Sequence, residues 1–257
     1  MLKALVLKYG IDKINTLTKY SSILTLHQFG ERGRFTNDLT TTISLSDELF
    51  ATEKIDGTNV RIICLGNEYL IGSRGFILHY SEDLCYNPSQ SIVENIKKLV
   101  NIPTSFRNLT IIYGELFGGK VSKNSKQYGA KDELGFRVFD IAQIKDLSIL
   151  EKNQEEISKW REHQTSDGLV YGQDFLSVSA LQEHCNRLNL PIVPRLNINI
   201  PDWSHQSVLA YLNQEIPQTN VALSAQAGMK PEGIIVRNAD RSKIVKLRFE
   251  DYKRTLR

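Results

Sequence analysis

The sequence predicts an α+β fold built on antiparallel sheets flanked by helices. Strand-like and helix-like stretches interleave along the 257 residues without a regular β-α-β period. Apolar β-rich runs on either side of Gly66-Asn67 read as a hairpin. A composition of 41% hydrophobic and 24% charged residues allows a sizeable core and argues against disorder.

Taken in order, residues 1–10 carry Leu2, Ala4, Leu5, Val6 and Leu7 and are expected to form an opening strand. They are too few for a signal peptide with its cleavage site. Residues 50–74 are β-rich, with Val60, Ile62 and Ile63 before the Gly66-Asn67 turn. A helix is expected next, with Asn87 as its cap, Pro88 in its first position, and Ile92, Ile96, Leu99 and Val100 on one face. Residues 109–117 and 134–141 read as strands. Between them, the polar segment with Lys120, Lys123, Lys126 and Lys131 reads as a mobile, solvated loop that could also grip a nucleic-acid backbone. Helices are expected over 179–188, ended by Pro191, and over 204–214, capped by Asp202 or Ser204. Strands over 233–237 and 243–249 close the chain, with Asp240-Arg241-Ser242 as the turn between them.

The formal net charge is +3, which permits a polyanionic partner without requiring one. Cys64, Cys85 and Cys185 form no C-x-x-C pair, so a disulfide framework or zinc site is not expected and a reducing compartment fits. His79, His163, His184 and His205 show no metal-binding spacing. His27 is read as structural, and Trp160 and Trp203 as helix-borne packing residues. No apolar run reaches the roughly 20 residues of a membrane span. A cytoplasmic monomer is expected.

Glu53-Lys54-Ile55-Asp56-Gly57-Thr58-Asn59 is the most informative stretch. Its lysine ends an apolar strand beside carboxylates. Partial desolvation there disfavours the ammonium, and a neutral amine can attack phosphorus. A hairpin with a surface Lys-Asp pair is the plain alternative. Four further stretches shift the balance. Tyr113-Gly114-Glu115-Leu116-Phe117-Gly118-Gly119 sets one acid in an apolar strand. Phe136-Arg137-Val138-Phe139-Asp140-Ile141 places an aromatic and an acid at a strand end. Glu232 begins the strand Gly233-Ile234-Ile235-Val236. Ile244-Val245-Lys246-Leu247-Arg248 sends two cations to one strand face. Together they supply a nucleophile, phosphate-binding cations, a carboxylate for a metal, another for ribose hydroxyls, and an aromatic face for a base.

In this order and spacing the chain resembles the covalent nucleotidyltransferases, the polynucleotide ligases and capping enzymes. Within them it is most similar to the RNA ligase 2 group. The E-K-x-D-G-T-N form, Gly72-Ser73-Arg74-Gly75, Y-G-E-L-F-G and F-D-I carry that likeness, which runs from about Glu53 to Arg248. The resemblance implies the nucleotidyltransferase (ATP-grasp-like ligase) fold and an ATP-dependent RNA ligase that joins 3′-hydroxyl and 5′-phosphate RNA ends. It implies that Lys54 takes AMP from ATP. Glu115 would hold the ribose and Phe139 the adenine. Glu232 would position a divalent metal, Mg2+ or Mn2+. Lys246 would bind the α-phosphate, with Arg248 and Asp56 in the catalytic set. Asn59 and Arg74 would act around the RNA 5′-phosphate, and Glu53 joins them among the nucleotide-binding residues.

Two departures qualify this. The last motif of the family has lysine where Arg248 stands; arginine keeps the charge but cannot lose a proton. The chain also ends soon after that motif. The expectation is a single adenylyltransferase domain over residues 1–257 without an OB-fold or other C-terminal domain, either a minimal ligase or the catalytic part of a longer one. A minimal ATP-dependent DNA ligase, a capping guanylyltransferase, and a nucleotide- or RNA-end-binding module without turnover are the competing readings.

Overall fold

The computed structural model describes residues 1–80, 83–84, 91–122, 125–165, 168–225 and 227–257. Two helices open the chain, α1 (Leu2–Tyr9) and α2 (Ile11–Thr18). The expected opening strand is therefore wrong. Leu2 and Val6 lie four residues apart, and both are buried, as are Ile14, Leu17 and Thr18 of α2. That spacing puts each set on one helical face. The terminal amine pairs with Glu68 at 2.8 Å.

Five strands follow before the first major hairpin is complete: β1 (Leu24–Thr25), β2 (His27–Phe29), β3 (Phe35–Leu39), β4 (Leu49–Lys54) and β5 (Thr58–Gly66). Next come β6 (Glu68–Ser73), β7 (Ile77–Tyr80), β8 (Asp83–Leu84), α3 (Ile92–Leu99), β9 (Phe106–Gly118) and β10 (Leu134–Ile144). The rest of the chain forms α4 (Gln154–Arg161), β11 (Glu162–Thr165), β12 (Gly168–Tyr171), β13 (Asp174–Phe175), α5 (Val178–Leu188), β14 (Arg195–Leu196), α6 (His205–Glu215), β15 (Gly233–Asn238), β16 (Ile244–Arg248) and α7 (Phe249–Thr255). The α+β class and the β5–β6 hairpin at Gly66-Asn67 stand as expected.

Two sheets dominate. A seven-stranded antiparallel sheet runs β13-β10-β9-β5-β6-β7-β8. A five-stranded sheet runs β1-β16-β15-β4-β14 and is antiparallel except for the parallel β1–β16 pair. The larger sheet is covered on both faces, so its central strands are apolar on both. Ile62 and Ile112 pack with α3 and α5 residues, while neighbouring Ile63 and Ile111 pack with α1, α2 and α4. The smaller sheet buries one face, with Ala51, Ile234, Val236, Val245 and Leu247 packing with Val208, Leu212 and Tyr252 of α6 and α7. Its other face turns toward the larger sheet.

Several local expectations shift. The Asn87-Pro88 start lies outside the described residues; α3 begins at Ile92 after Ser91. Leu99 is exposed, and Val93 takes its place in the core. Ser177 caps α5 and Ser204 caps α6, each accepting from a backbone N–H of the first turn. Trp160 lies in α4, but Trp203 sits in the turn before α6. The lysine segment is packed more than a solvated loop would be. Val121 and Tyr128 are buried, and Tyr128 accepts from the Asp56 N–H at 2.6 Å through its hydroxyl. Lys120, Lys126 and Lys131 remain exposed, and Lys123 lies outside the described residues. His27 bears out the structural reading: it is buried, with its ring nitrogens on the Tyr252 hydroxyl and the Trp203 carbonyl. Burial pushes its pKa down to about 4, so it is neutral at pH 7.

Candidate active site

A cleft of about 680 Å³ lies between the open face of the five-stranded sheet and residues of β5, β6, β9 and β10 in the seven-stranded one. It is lined by Glu53, Lys54, Asp56, Asn59, Arg74, Glu115, Phe139, Glu232, Lys246 and Arg248. The structure thus brings every residue singled out from the motifs to one cavity.

Register explains how the five-stranded sheet presents its share. Gly233 lies opposite both Lys54 and Arg248, Ile235 opposite Thr52 and Lys246, and Arg237 opposite Phe50 and Ile244. Period-two alternation sends these rows to the cleft face while Ile234 and Val236 enter the core. Across the cleft, Asn59 and Glu115 face each other on β5 and β9. Gly57 joins the two walls. A Cβ there would lie 2.3 Å from the Leu116 carbonyl oxygen, so only glycine lets the lysine strand turn this closely against β9.

Charge is graded through the site. Lys54 is ion-paired with Glu232, and both side chains are about three-quarters buried (26% and 27% exposed). Arg248 stands 3.8 Å from Glu232 and makes a two-pronged contact with Asp251 at 2.7 and 3.0 Å. Burial, with Arg248, Lys54 and Arg74 nearby, pushes the pKa of Lys246 down. Burial raises the pKa of Glu115 to about 8; Lys54 opposes that rise, and Glu232 and Asp56 add to it. Such a concentration of perturbed groups in one cavity marks a functional site.

Glu53 alternates to the other side of β4 from Lys54. Its carboxylate accepts from the Thr219 hydroxyl at 2.5 Å and the Asn220 N–H at 2.8 Å. Phe139 occupies a β-bulge, where the β9–β10 register shifts between Val138 and Asp140. A bulge re-aims side chains, and both Phe139 and Asp140 line the cleft. Tyr20 meets the Phe139 ring edge-on at 5.0 Å. The Oδ1 atom of Asn59 is buried without a hydrogen-bond partner among the described residues.

Asp140, Arg237, Arg241 and Tyr20 form a buried cluster that the motifs did not reveal. Asp140 accepts from Arg237 at 3.1 Å, Arg241 at 2.5 Å and Tyr20 at 2.9 Å. Arg241 also lies 3.5 Å from the centre of the Phe175 ring. The turn read as a plain connector thus sends a fully buried guanidinium between the sheets. Asp140 belongs to β10 and Arg237 to β15, so the cluster fastens the two walls together. Arg237 within Ile234-Ile235-Val236-Arg237 was the available signal: a charge ending an apolar strand needs a partner if buried.

Among the described residues no three His, Cys, Asp or Glu side chains form a ready metal cage. Glu232 and Asp56 stand close enough to raise the pKa of Glu115, and such carboxylates instead suit a hard cation that keeps water and phosphate oxygens as its other ligands.

A sequence profile of RNA ligases matches residues 47–249. Solved structures share the fold. A lysine-to-alanine mutant of the Naegleria gruberi RNA ligase with ATP and Mn aligns over 90% of this chain and 60% of its own, at 14% identity and TM-score 0.50. A glutamate-to-alanine mutant of the same enzyme, again with ATP and Mn, aligns over 92% and 62%, at 15% identity and TM-score 0.50. An archaeal ATP-dependent RNA ligase aligns over 91% and 49%, at 15% identity and TM-score 0.50. The chain spans about three-fifths of the Naegleria enzyme and half of the archaeal one. No curated protein sequence matches it. Since the profile covers more than half of the sequence, from before the Lys54 motif to beyond Arg248, the chain belongs to the RNA ligase family.

Proposed function

We propose that this chain is an ATP-dependent RNA ligase that joins 3′-hydroxyl to 5′-phosphate RNA ends through a covalent lysine adenylate. The observation that carries the reading is the position of Lys54. Its amine sits at the centre of a cleft with Lys246 and Arg248 on the same sheet face and carboxylates on both sides.

The chemistry starts from the Lys54–Glu232 pair. The ammonium must leave Glu232 and lose a proton before it can attack. Its nitrogen then bonds to the α-phosphorus of ATP as the bond to pyrophosphate breaks. The second proton passes to solvent. Lys246 and Arg248 offset the charge on the α-phosphate, Glu115 holds the ribose, and Phe139 stacks on the adenine. Glu53 belongs to the nucleotide pocket as part of its wall, tied to Thr219 and Asn220. A divalent ion, Mg2+ or Mn2+ as in the Naegleria structures solved with ATP and Mn, would be held by Glu232 and would supply charge neutralisation at the phosphates. In the later steps the RNA 5′-phosphate, gripped near Asn59 and Arg74, takes the adenylate from Lys54. A 3′-hydroxyl then attacks that phosphate and AMP departs. Asp56, fixed by Tyr128 at the turn after Lys54, belongs to the same catalytic set.

We take the working unit to be one adenylyltransferase domain acting as a monomer on RNA ends in the cytoplasm; among the described residues no helix is long and apolar enough to cross a membrane. Incubation with labelled ATP, GTP or NAD tests the reading. ATP should label wild type with one AMP, and Lys54→Ala should remain unlabelled. Labelling by GTP alone, or an adduct that persists in Lys54→Ala, would overturn it. Sealing of nicks with every combination of DNA and RNA strands then separates RNA ligase from DNA ligase.

A further inference from the structure

The turn joining β6 to β7 forms one lip of the cleft. Ser73, Arg74, Gly75 and Phe76 all line the cavity there. Arg74 is exposed and makes no ion pair among the described residues. Phe76 leaves 58% of its surface open to solvent. A large exposed aromatic beside a cationic cavity is informative in a way that a scattered surface leucine is not.

The lip is held from below. Ser73 N–H donates to the Phe76 carbonyl at 2.8 Å, and the Asn15 amide donates to the Gly75 carbonyl at 3.0 Å. Asn15 is itself fixed by Arg61, whose guanidinium donates to the Asn15 carbonyl at 2.9 Å, to its side-chain oxygen, and to the Thr18 hydroxyl at 3.1 Å. Arg61 is fully buried and pairs with no carboxylate among the described residues. Burial pushes its pKa down to about 10. At Gly72 a Cβ would lie 2.7 Å from the Arg61 Nε and 2.9 Å from the Phe76 carbonyl oxygen. Glycine at that place lets the guanidinium run directly beneath the turn. A costly buried cation is thus spent on fixing a four-residue lip.

We propose that Phe76 is a stacking platform for the first nucleobase of the 5′-phosphate RNA end, the nucleotide whose phosphate Arg74 holds, and that the Arg61–Asn15 brace keeps the platform in place. The proposal rests on the ligase reading above. An adenine face already exists deeper in the cleft at Phe139, so a second ring at the mouth has a second base to meet. The surrounding charge, from Arg74 outside to Lys246 and Arg248 within, selects a polyanion over an apolar peptide. Aromatic stacking accepts every base, because each has a π-face, so the platform would tolerate any 5′-terminal sequence.

The test uses pre-adenylated RNA donors that differ only at the first nucleotide, one normal and one abasic, with wild type, Phe76→Trp, Phe76→Leu and Phe76→Ala. Wild type and Phe76→Trp should prefer the normal donor by about 5- to 150-fold in kcat/KM. Phe76→Leu keeps apolar bulk without a π-face, and it should lose that preference together with Phe76→Ala. Equal preference in all four proteins, or a loss in Phe76→Ala that is as large on the abasic donor as on the normal one, would overturn the platform. Absence of sealing by wild type on either donor would instead overturn the ligase reading beneath it.

Discussion

Glu232 holds the amine of Lys54 in an ion pair while standing 3.8 Å from the guanidinium of Arg248. One carboxylate therefore faces both the proposed nucleophile and a second cation of the cleft. On the proposed mechanism it must release the amine and turn to the metal when ATP is bound.

Removing Glu232 should not activate the enzyme, although it frees Lys54. In Glu232→Gln, formation of the lysine adenylate should require about 10- to 100-fold more divalent ion, the usual cost of disturbing a metal's protein partners. A titration of adenylate yield against Mg2+ checks this. A yield that rises at low metal would show Glu232 to be only an inhibitory partner of Lys54.

Lys246→Ala should slow adenylate formation with ATP still bound, because its charge matters most as pyrophosphate leaves. Glu115→Ala and Phe139→Ala should instead weaken ATP capture. Single-turnover rates at saturating ATP, beside equilibrium ATP binding, separate the two classes. Equal loss of ATP affinity in all three variants would contradict the division.

Glu115 gives a pH signature. Its pKa is raised from the ordinary 4.5 to about 8, chiefly by burial. Between those values the folded protein holds a proton that the unfolded chain has released. Its contribution to stability therefore falls as pH rises from about 4.5 to about 8. Glu115→Gln removes this slope, so wild type should lose melting temperature relative to the variant across that window. Parallel melting curves from pH 5 to 8 would contradict the sign.

Asp140→Asn leaves Arg237 and Arg241 without their buried counter-charge. Breaking such a pair by removing one partner costs about 3–5 kcal/mol. Denaturant unfolding should show a loss of that order, with weaker nucleotide binding because β10 and β15 lose a direct tie. Wild-type stability in Asp140→Asn would mean that the cluster is not fastening the walls.

How far the residues announced all this depends on the kind of signal each carries. Lys54, Glu115, Glu232, Lys246 and Arg248 could be read because strand alternation and motif order operate over a few residues. The β5–β6 hairpin could be read for the same reason, from its Gly66-Asn67 turn. The N-terminal helices could not, since a dense apolar run in residues 1–10 hides its four-residue spacing until the surface it covers is known. Arg241 lay in a polar turn, and only the docking of one sheet on the other shows that it is buried against Asp140, about one hundred positions away in sequence. Its left-handed backbone (φ 64°) is a conformation that L-residues other than glycine seldom adopt, a local cost offset by distant contacts. Arg61 carries no local signal for the same reason: its partner Asn15 lies on α2, far away in sequence.

The two arginine assemblies at the cleft also differ in how ionic strength would reach them. The Asp140 cluster is dry, and dissolved ions screen buried pairs weakly. Arg74 stands in water, where each phosphate contact competes with the electrolyte. Raising potassium chloride should therefore erode engagement of RNA at Arg74 while leaving the tie between β10 and β15 intact.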